Sequence, residues 1–381
     1  MNTFKLPTDV YFDENALEVL CTYKNVNAVV FTDPFMVKSG VADMIAKKLS
    51  GCSSVQIFGE VRPDPPIELI AQGLDFLVKA NADIVVALGG GSSIDAAKAV
   101  ILMAKRTGKK QNIRLIAVPT TSGTGSEVTQ FAVITDKEAG VKYPLVDAQL
   151  QPDVAILAPE LVKTAPPSIT ADTGFDAITH ALEAYISTAS NDFSDALAEK
   201  ALEMAFEYLP RAVKNGDDLE ARDKMHKASC LAGMSFNIVS LGINHGIAHA
   251  LGAKFHIPHG RANALLLPHV MRYNADLPET FSVDADYTRA AKKLSKIAQR
   301  LGIRSTNTRV AVIGLCDKIA SMERECGVPS TLKEAGVTRE EYEAQKEAII
   351  QSALNDACTA TNPRKTDHDE VESILRCVAK F

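Results

Sequence analysis

Residues Asn244 to Gly260 read NHGIAHALGAKFHIPHG and include His245, His249, His256 and His259, four of the chain's eight histidines. Imidazoles grouped in this way bind divalent metals or relay protons near neutral pH. His245 and His249 stand four residues apart, so a helix would present both on one face. The same spacing recurs upstream, where TADTGFDAITHALEAY carries Asp176 and His180. One such pair is common on any helix, but two pairs plus His259, beside a Pro-His-Gly helix start, can converge on one point. A carboxylate with imidazoles and no thiolate suits Fe(II) or Zn(II). Residue chemistry alone leaves four ligands to be chosen from these six candidates. His226 in RDKMHKAS and His368 in KTDHDEV read as solvated, and His269 in LLLPHV as a core residue.

A second chemistry is written in DIVVALGGGSSIDAAKAVILMA, which runs strand, three glycines and a helix start. Glycines let backbone N–H groups approach a phosphate, and the helix N-terminus adds a positive dipole end. Consecutive Gly89, Gly90 and Gly91 depart from GxGxxG and follow the third strand, so this turn taken alone reads better as a structural turn than as a phosphate site. After the next strand comes PTTSGTGSEVT, Pro119 to Thr129, rich in hydroxyls and small residues. Two such loops leaving the carboxyl ends of parallel strands would face one crevice, where ligands bind in open α/β sheets. Together they point to a dinucleotide. Asp33, at the end of the first strand, is the acidic residue best placed to meet it.

The elements that must position these groups follow from periodicity. NAVVF (27–31), SVQIF (54–58), DIVVAL (83–88) and RLIAVP (114–119) read as strands, separated by helical patterns such as VADMIAKKL, so βαβ units with a parallel sheet are predicted. From about Pro166 onward long Ala- and Leu-rich amphipathic segments replace strands. The predicted organisation is an α/β dinucleotide-binding domain over 1–165 and an all-helical metal-binding catalytic domain over 166–381. Pro166 and Pro167 precede the first helix of that half, with Asp172 as its expected cap.

A length of 381 residues, 46% hydrophobic and 23% charged, fits two globular domains with sizeable cores. A net charge of -6 without a basic block gives no footprint for nucleic acid or an anionic membrane. Neither a signal peptide nor a membrane span is read, and the seven scattered cysteines contain no CxxC, which implies reduced thiols and a cytoplasmic protein.

The motifs GGGSSIDAAKA, PTTSGTGSEVT, TADTGFDAITHALEAY, NHGIAHALG-x5-PHGRANALLLPHVMRYN and the closing NPR, in this order, resemble the iron-dependent, or group III, alcohol dehydrogenase family across nearly the whole chain. Matched by motif, the resemblance implies that Asp176, His180, His245 and His259 hold the metal and that His249 stays free beside the nicotinamide and substrate. His256 falls where relatives often have Asn. It further implies that Gly90, Gly91 and Ser92 bind phosphate, that Thr120, Thr121 and Thr124 form the second nucleotide loop, and that Lys142 contacts a ribose. Asp33 matches an aspartate at the adenosine ribose, where a carboxylate repels a 2′-phosphate, so NAD is expected over NADP. Asp64 and Phe131 depart from the pattern associated with lactaldehyde reductases.

Within the family, MNTF, the PDP at 63–65 and DALAEKALEMAFEYLPRAV are most similar to the branch serving propanediol-utilisation microcompartments. That similarity implies propionaldehyde reduction to 1-propanol, a homodimer, and contact with microcompartment enzymes or shell proteins. Lactaldehyde, 1,3-propanediol, ethanol or butanol are the alternative substrates within the family. A lyase resembling dehydroquinate synthase would need Lys and Arg around the metal to hold a substrate phosphate, and the helical segments are poor in them there. A metal hydrolase would leave the Gly and Thr loops unexplained.

Overall fold

The computed structural model describes residues 3–136, 141–278 and 286–381, with 141 and 142 described by backbone alone. The chain divides into two compact units, residues 1–165 and 166–381.

The first unit holds strands β1 (Asp9–Phe12), β2 (Asn27–Phe31), β3 (Ser54–Phe58), β4 (Ile84–Gly89), β5 (Arg114–Pro119), β6 (Phe131–Asp136), β7 (Val141–Val146) and β8 (Val154–Leu157). Its helices are α1 (Pro34–Lys38), α2 (Val41–Lys48), α3 (Ile67–Lys79), α4 (Gly91–Arg106) and α5 (Pro159–Val162). The main sheet has the order β1-β8-β5-β4-β2-β3, and its pairings are parallel. Its central strands read as unbroken apolar runs because both faces are covered. Val29, Phe31, Val85, Ala87 and Leu115 face a core built with α3 and α4. Ala28, Val30, Val86, Leu88 and Ile116 face the opposite core, which includes α2.

Three expected strands have the predicted bounds, and the fourth is shifted by one residue to Ile84–Gly89. The sequence reading missed β1, β8 and the antiparallel β6–β7 hairpin. β1 lies at the edge of the main sheet, paired with β8 of the same chain. Gly89 is in register with Pro119, so the chain leaves β4 and β5 side by side at their carboxyl ends.

The second unit is helical among its described residues: α6 (Pro167–Ile186), α7 (Asp192–Lys214), α8 (Leu219–Val239), α9 (Ile243–Phe255), α10 (His259–Ala275), α11 (Arg289–Arg300), α12 (Thr308–Glu325), α13 (Arg339–Asn355) and α14 (His368–Val378). From Gly174 to Ile186 every residue of α6 is buried, because α7, α8 and α10 pack around it. Its polar residues are therefore buried with it and need partners there. No helix among the described residues is long and apolar enough to cross a membrane.

Candidate metal centre and nucleotide loops

Helix α6 starts at Pro167, its fixed φ suited to the first helical position, with Pro166 as the N-cap. Asp172 is consequently a second-turn residue and not the expected cap. Its carboxylate accepts hydrogen bonds of 3.2 and 3.0 Å from Arg261 Nε and Nη2, tying the first turn of α10 to α6. That fork fixes the approach of His259, the first residue of α10.

The structure brings Asp176, His180, His245 and His259 together, with one donor atom from each lying within 4.8 Å of the others. Asp176 Oδ1 is 3.9 Å from His180 Nε2, 3.8 Å from His245 Nε2 and 3.4 Å from His259 Nε2. Donors about 2.1 Å from one four-coordinate ion stand about 3.4 Å apart, so the three distances from Asp176 need a contraction of no more than about half an ångström. His180 stacks on His245 with ring centroids 4.6 Å apart, and on its other face meets Phe236 at 4.4 Å. Burial alone would raise the Asp176 carboxyl, but His180, His259 and His245 carry it well below the ordinary carboxylate range. Burial likewise works against a charged His245, but its bonds to Asp176 and Glu183 push it up to about 9. A divalent cation replaces the positive charge that such a cluster of donors calls for.

His249 lies one turn beyond His245 on α9, and its ring stacks against His259 at 5.2 Å. Its Nδ1 is 2.8 Å from Asp356 Oδ2, and the other carboxylate oxygen of Asp356 accepts from the Cys358 N–H at 2.8 Å. His256 adopts φ 55° as the C-cap of α9, a left-handed position where Asn is also favoured. His226 is 1% exposed, which corrects the expectation that it is solvated. The sequence reading also missed Glu183, Asn263 and Asp356. Asn263 Nδ2 donates to Asp176 Oδ1 at 2.7 Å and lies 3.1 Å from both His245 Nε2 and His259 Nε2. A signal for Glu183 was present, since Asp176, His180 and Glu183 follow i, i+4, i+7 along one helix face.

In the first unit, α4 begins at Gly91 with no side-chain cap, leaving Ser92 in a first turn whose N–H groups suit an anion. Gly89 has φ 142°, and a Cβ built there would lie 2.8 Å from Ser93 Cβ and 3.3 Å from Asp33 Oδ2. A Cβ on Gly90 would lie 3.4 Å from Thr121 Oγ1, and one on Gly91 only 2.8 Å from Thr124 Cγ2. The Thr120 N–H donates to the Gly89 carbonyl at 3.0 Å. The two loops therefore touch, and side chains on the glycines would fill the space between them. Asp33 caps α1 by accepting from the Met36 N–H at 3.0 Å. Lys142 lies on β7, with its side chain outside the described residues.

Comparison with known proteins identifies the family. The family model for iron-containing alcohol dehydrogenase matches residues 7–159, and that for the Fe-containing alcohol dehydrogenase family, C-terminal, matches 170–379. The chain belongs to the iron-containing alcohol dehydrogenase family. It is 42% identical over 378 residues to 1-propanol dehydrogenase PduQ of Salmonella typhimurium, covering 98% of this chain and 99% of that protein. Among solved structures, a 1,3-propanediol oxidoreductase superposes with a TM-score of 0.88 at 34% identity, covering 99% of each chain. Sulfoacetaldehyde reductase from Bifidobacterium kashiwanohense, solved in complex with NAD+, gives 0.85 at 28% identity, covering 100% of this chain and 99% of that one.

Proposed function

We propose that this alcohol dehydrogenase interconverts short-chain aldehydes and primary alcohols with NAD(H) and Fe(II), with Zn(II) as a substitute metal, and that its principal reaction is propionaldehyde to 1-propanol. The observation that carries this reading is the convergence of Asp176, His180, His245 and His259 at spacings suited to one divalent ion. Identity of 42% to a 1-propanol dehydrogenase across nearly the full length supports the substrate, and the NAD+ complex of a structural relative supports the cofactor. Residues 1–165 then form the NAD-binding domain and residues 166–381 the metal-binding catalytic domain.

When bound, the metal polarises a carbonyl oxygen as a Lewis acid and the nicotinamide carries the hydride. Asp176 and the three imidazoles hold the ion. Asp356 keeps the proton of His249 on Nδ1 and leaves Nε2 as the atom that exchanges a proton with the substrate oxygen. Gly90, Gly91 and Ser92, with Thr120, Thr121 and Thr124, bind the pyrophosphate through N–H and hydroxyl donors. Asp33 and Lys142 meet the ribose, and the Asp33 carboxylate excludes a 2′-phosphate.

A 1,3-propanediol dehydrogenase is the second reading, favoured by the structural likeness to such an oxidoreductase. A homodimer housed in a bacterial microcompartment belongs to the first reading, and shell proteins would be its neighbours there. The deciding assay follows NADH absorbance with propionaldehyde and with 3-hydroxypropionaldehyde, using metal-stripped protein before and after anaerobic return of Fe(II) or Zn(II). Metal-dependent oxidation of NADH, faster with propionaldehyde, is the expected result. No turnover of any short aldehyde under either metal would overturn the reading.

A further inference from the structure

The N-terminus of α9, which carries both His245 and His249, is not capped by its own flanking residue. Gly242 occupies the N-cap position and offers no side chain. Two distant residues take over. Asn362 Oδ1 accepts from the Ile243 N–H at 3.1 Å, and Glu183 Oε1 accepts from the Asn244 N–H at 2.7 Å. Glu183 Oε2 accepts from the His245 N–H at 3.3 Å and lies 2.6 Å from His245 Nδ1. A Cβ at position 242 would stand 2.7 Å from Glu183 Oε1 and 2.7 Å from Asn362 Oδ1, so glycine is what admits both acceptors.

We infer that Glu183 is a positioning residue that couples the start of α9 to metal capture, through one carboxylate that caps the helix and sets the tautomer of His245. This inference rests on the reading of Asp176, His180, His245 and His259 as a metal site. With Nδ1–H held by Glu183, the neutral ring of His245 carries its lone pair on Nε2, the nitrogen 3.8 Å from Asp176 Oδ1. A carboxylate behind a ligating imidazole also makes that imidazole a stronger donor. Glu183 is 1% exposed and lies on the same face of α6 as Asp176 and His180. The helix supplying two donors thus also orients the third, and it does so from a buried position that water does not screen.

Glutamine at 183 retains an acceptor for the cap or for Nδ1–H, but not a carboxylate that serves both. Glu183→Gln should therefore raise the Kd for Zn(II) or Fe(II) about 10- to 100-fold, read by competition against a chromophoric chelator on the metal-stripped chain. Its melting temperature without metal should fall by no more than that of the capping control that follows. Hydrogen exchange at the Asn244 and His245 amides should slow on metal binding in the parent, and much less in the variant. Asn362→Ala provides the control, because it removes the cap on Ile243 without touching His245. It should lower the melting temperature and leave the metal Kd within about threefold. Metal affinity of Glu183→Gln within about twofold of the parent would overturn the inference, as would an equal loss in Asn362→Ala. Failure of the parent chain to bind either metal would instead remove the metal-site reading on which the inference rests.

Discussion

Lys98 lies on α4 at 0% exposure, and its Nζ donates to the Thr129 carbonyl at 2.8 Å, Thr129 Oγ1 at 3.2 Å and the Phe131 carbonyl at 2.7 Å. It thereby ties α4 to the end of the loop that carries Thr120, Thr121 and Thr124. Burial pulls Lys98 down to about 8, opposed by the carboxyls of Asp95 and Glu127. Asp95 accepts from Ser126 Oγ at 2.7 Å and from the Val133 N–H at 3.0 Å, fastening the same loop a second time. Lys98→Met keeps the length and bulk of the side chain and removes the donors. Two buried carbonyls would lose a partner, at about 1–3 kcal/mol each. Removing one member of a buried charge group costs about 3–5 kcal/mol. These estimates describe the same loss from two sides and are not added, so the first unit should be destabilised by about 3–5 kcal/mol. Urea unfolding followed by circular dichroism reads that loss. A loosened nucleotide loop should also raise the NADH Kd by about tenfold, equivalent to about 1.4 kcal/mol. NADH fluorescence measures this without interference, since the chain has no Trp. A variant within about 1 kcal/mol of the parent, with unchanged NADH affinity, would refute the argument.

Asp33→Ser keeps an oxygen to cap α1 and removes the charge, so the ratio of kcat/KM with NADPH to that with NADH should rise at least about tenfold; an unchanged ratio would release Asp33 from cofactor selection. Gly242→Ala forces a Cβ to 2.7 Å from two buried oxygens, and a loss of about 1–3 kcal/mol is expected in thermal or urea unfolding, with no loss counting against the packing argument. Burial pushes the Glu323 carboxyl from an ordinary 4.5 up to about 8, and its Oε1 has no hydrogen-bond partner among the described residues. Between those values the unfolded chain has released a proton that the folded chain keeps, so stability falls as pH rises from about 5 to about 8. Glu323→Gln should flatten that slope by an amount on the order of a few kcal/mol across the window, and an identical slope in parent and variant would show that Glu323 ionises freely.

The parallel sheet was legible because its central strands carry a signal that survives without context. IVVALG and RLIAVP are apolar at nearly every position, as strands covered on both faces must be. DVYF at β1 has no such run, since an edge strand keeps much of its surface in water, and VAIL at β8 is only four residues long. The start of α6 was misplaced for a related reason. Asp172 resembles a cap by residue type, but a proline pair ahead of a helix is itself a start signal, and the aspartate belongs to Arg261.

The groups expected to hold metal could be picked out as a set because i, i+4 spacing is a local property that any helix turns into a shared face. Their supporting partners had no comparable signature. His249 and Asp356 are 107 residues apart, and His245 and Glu183 are 62 apart, so only the folded helices bring them into contact. Lys98 lies between these cases: a lysine within AAKAVILMA breaks a segment that is otherwise apolar, and the break itself announces a buried charge in need of acceptors. A polar residue inside an apolar helix can thus be identified from sequence as a group requiring a partner, while the identity of that partner is decided by tertiary packing. The same division explains why Glu183 was passed over. It shares a face with Asp176 and His180, but a glutamate in a helix is ordinarily solvated, and only the burial of α6 from Gly174 to Ile186 turns this one into an acceptor for another helix.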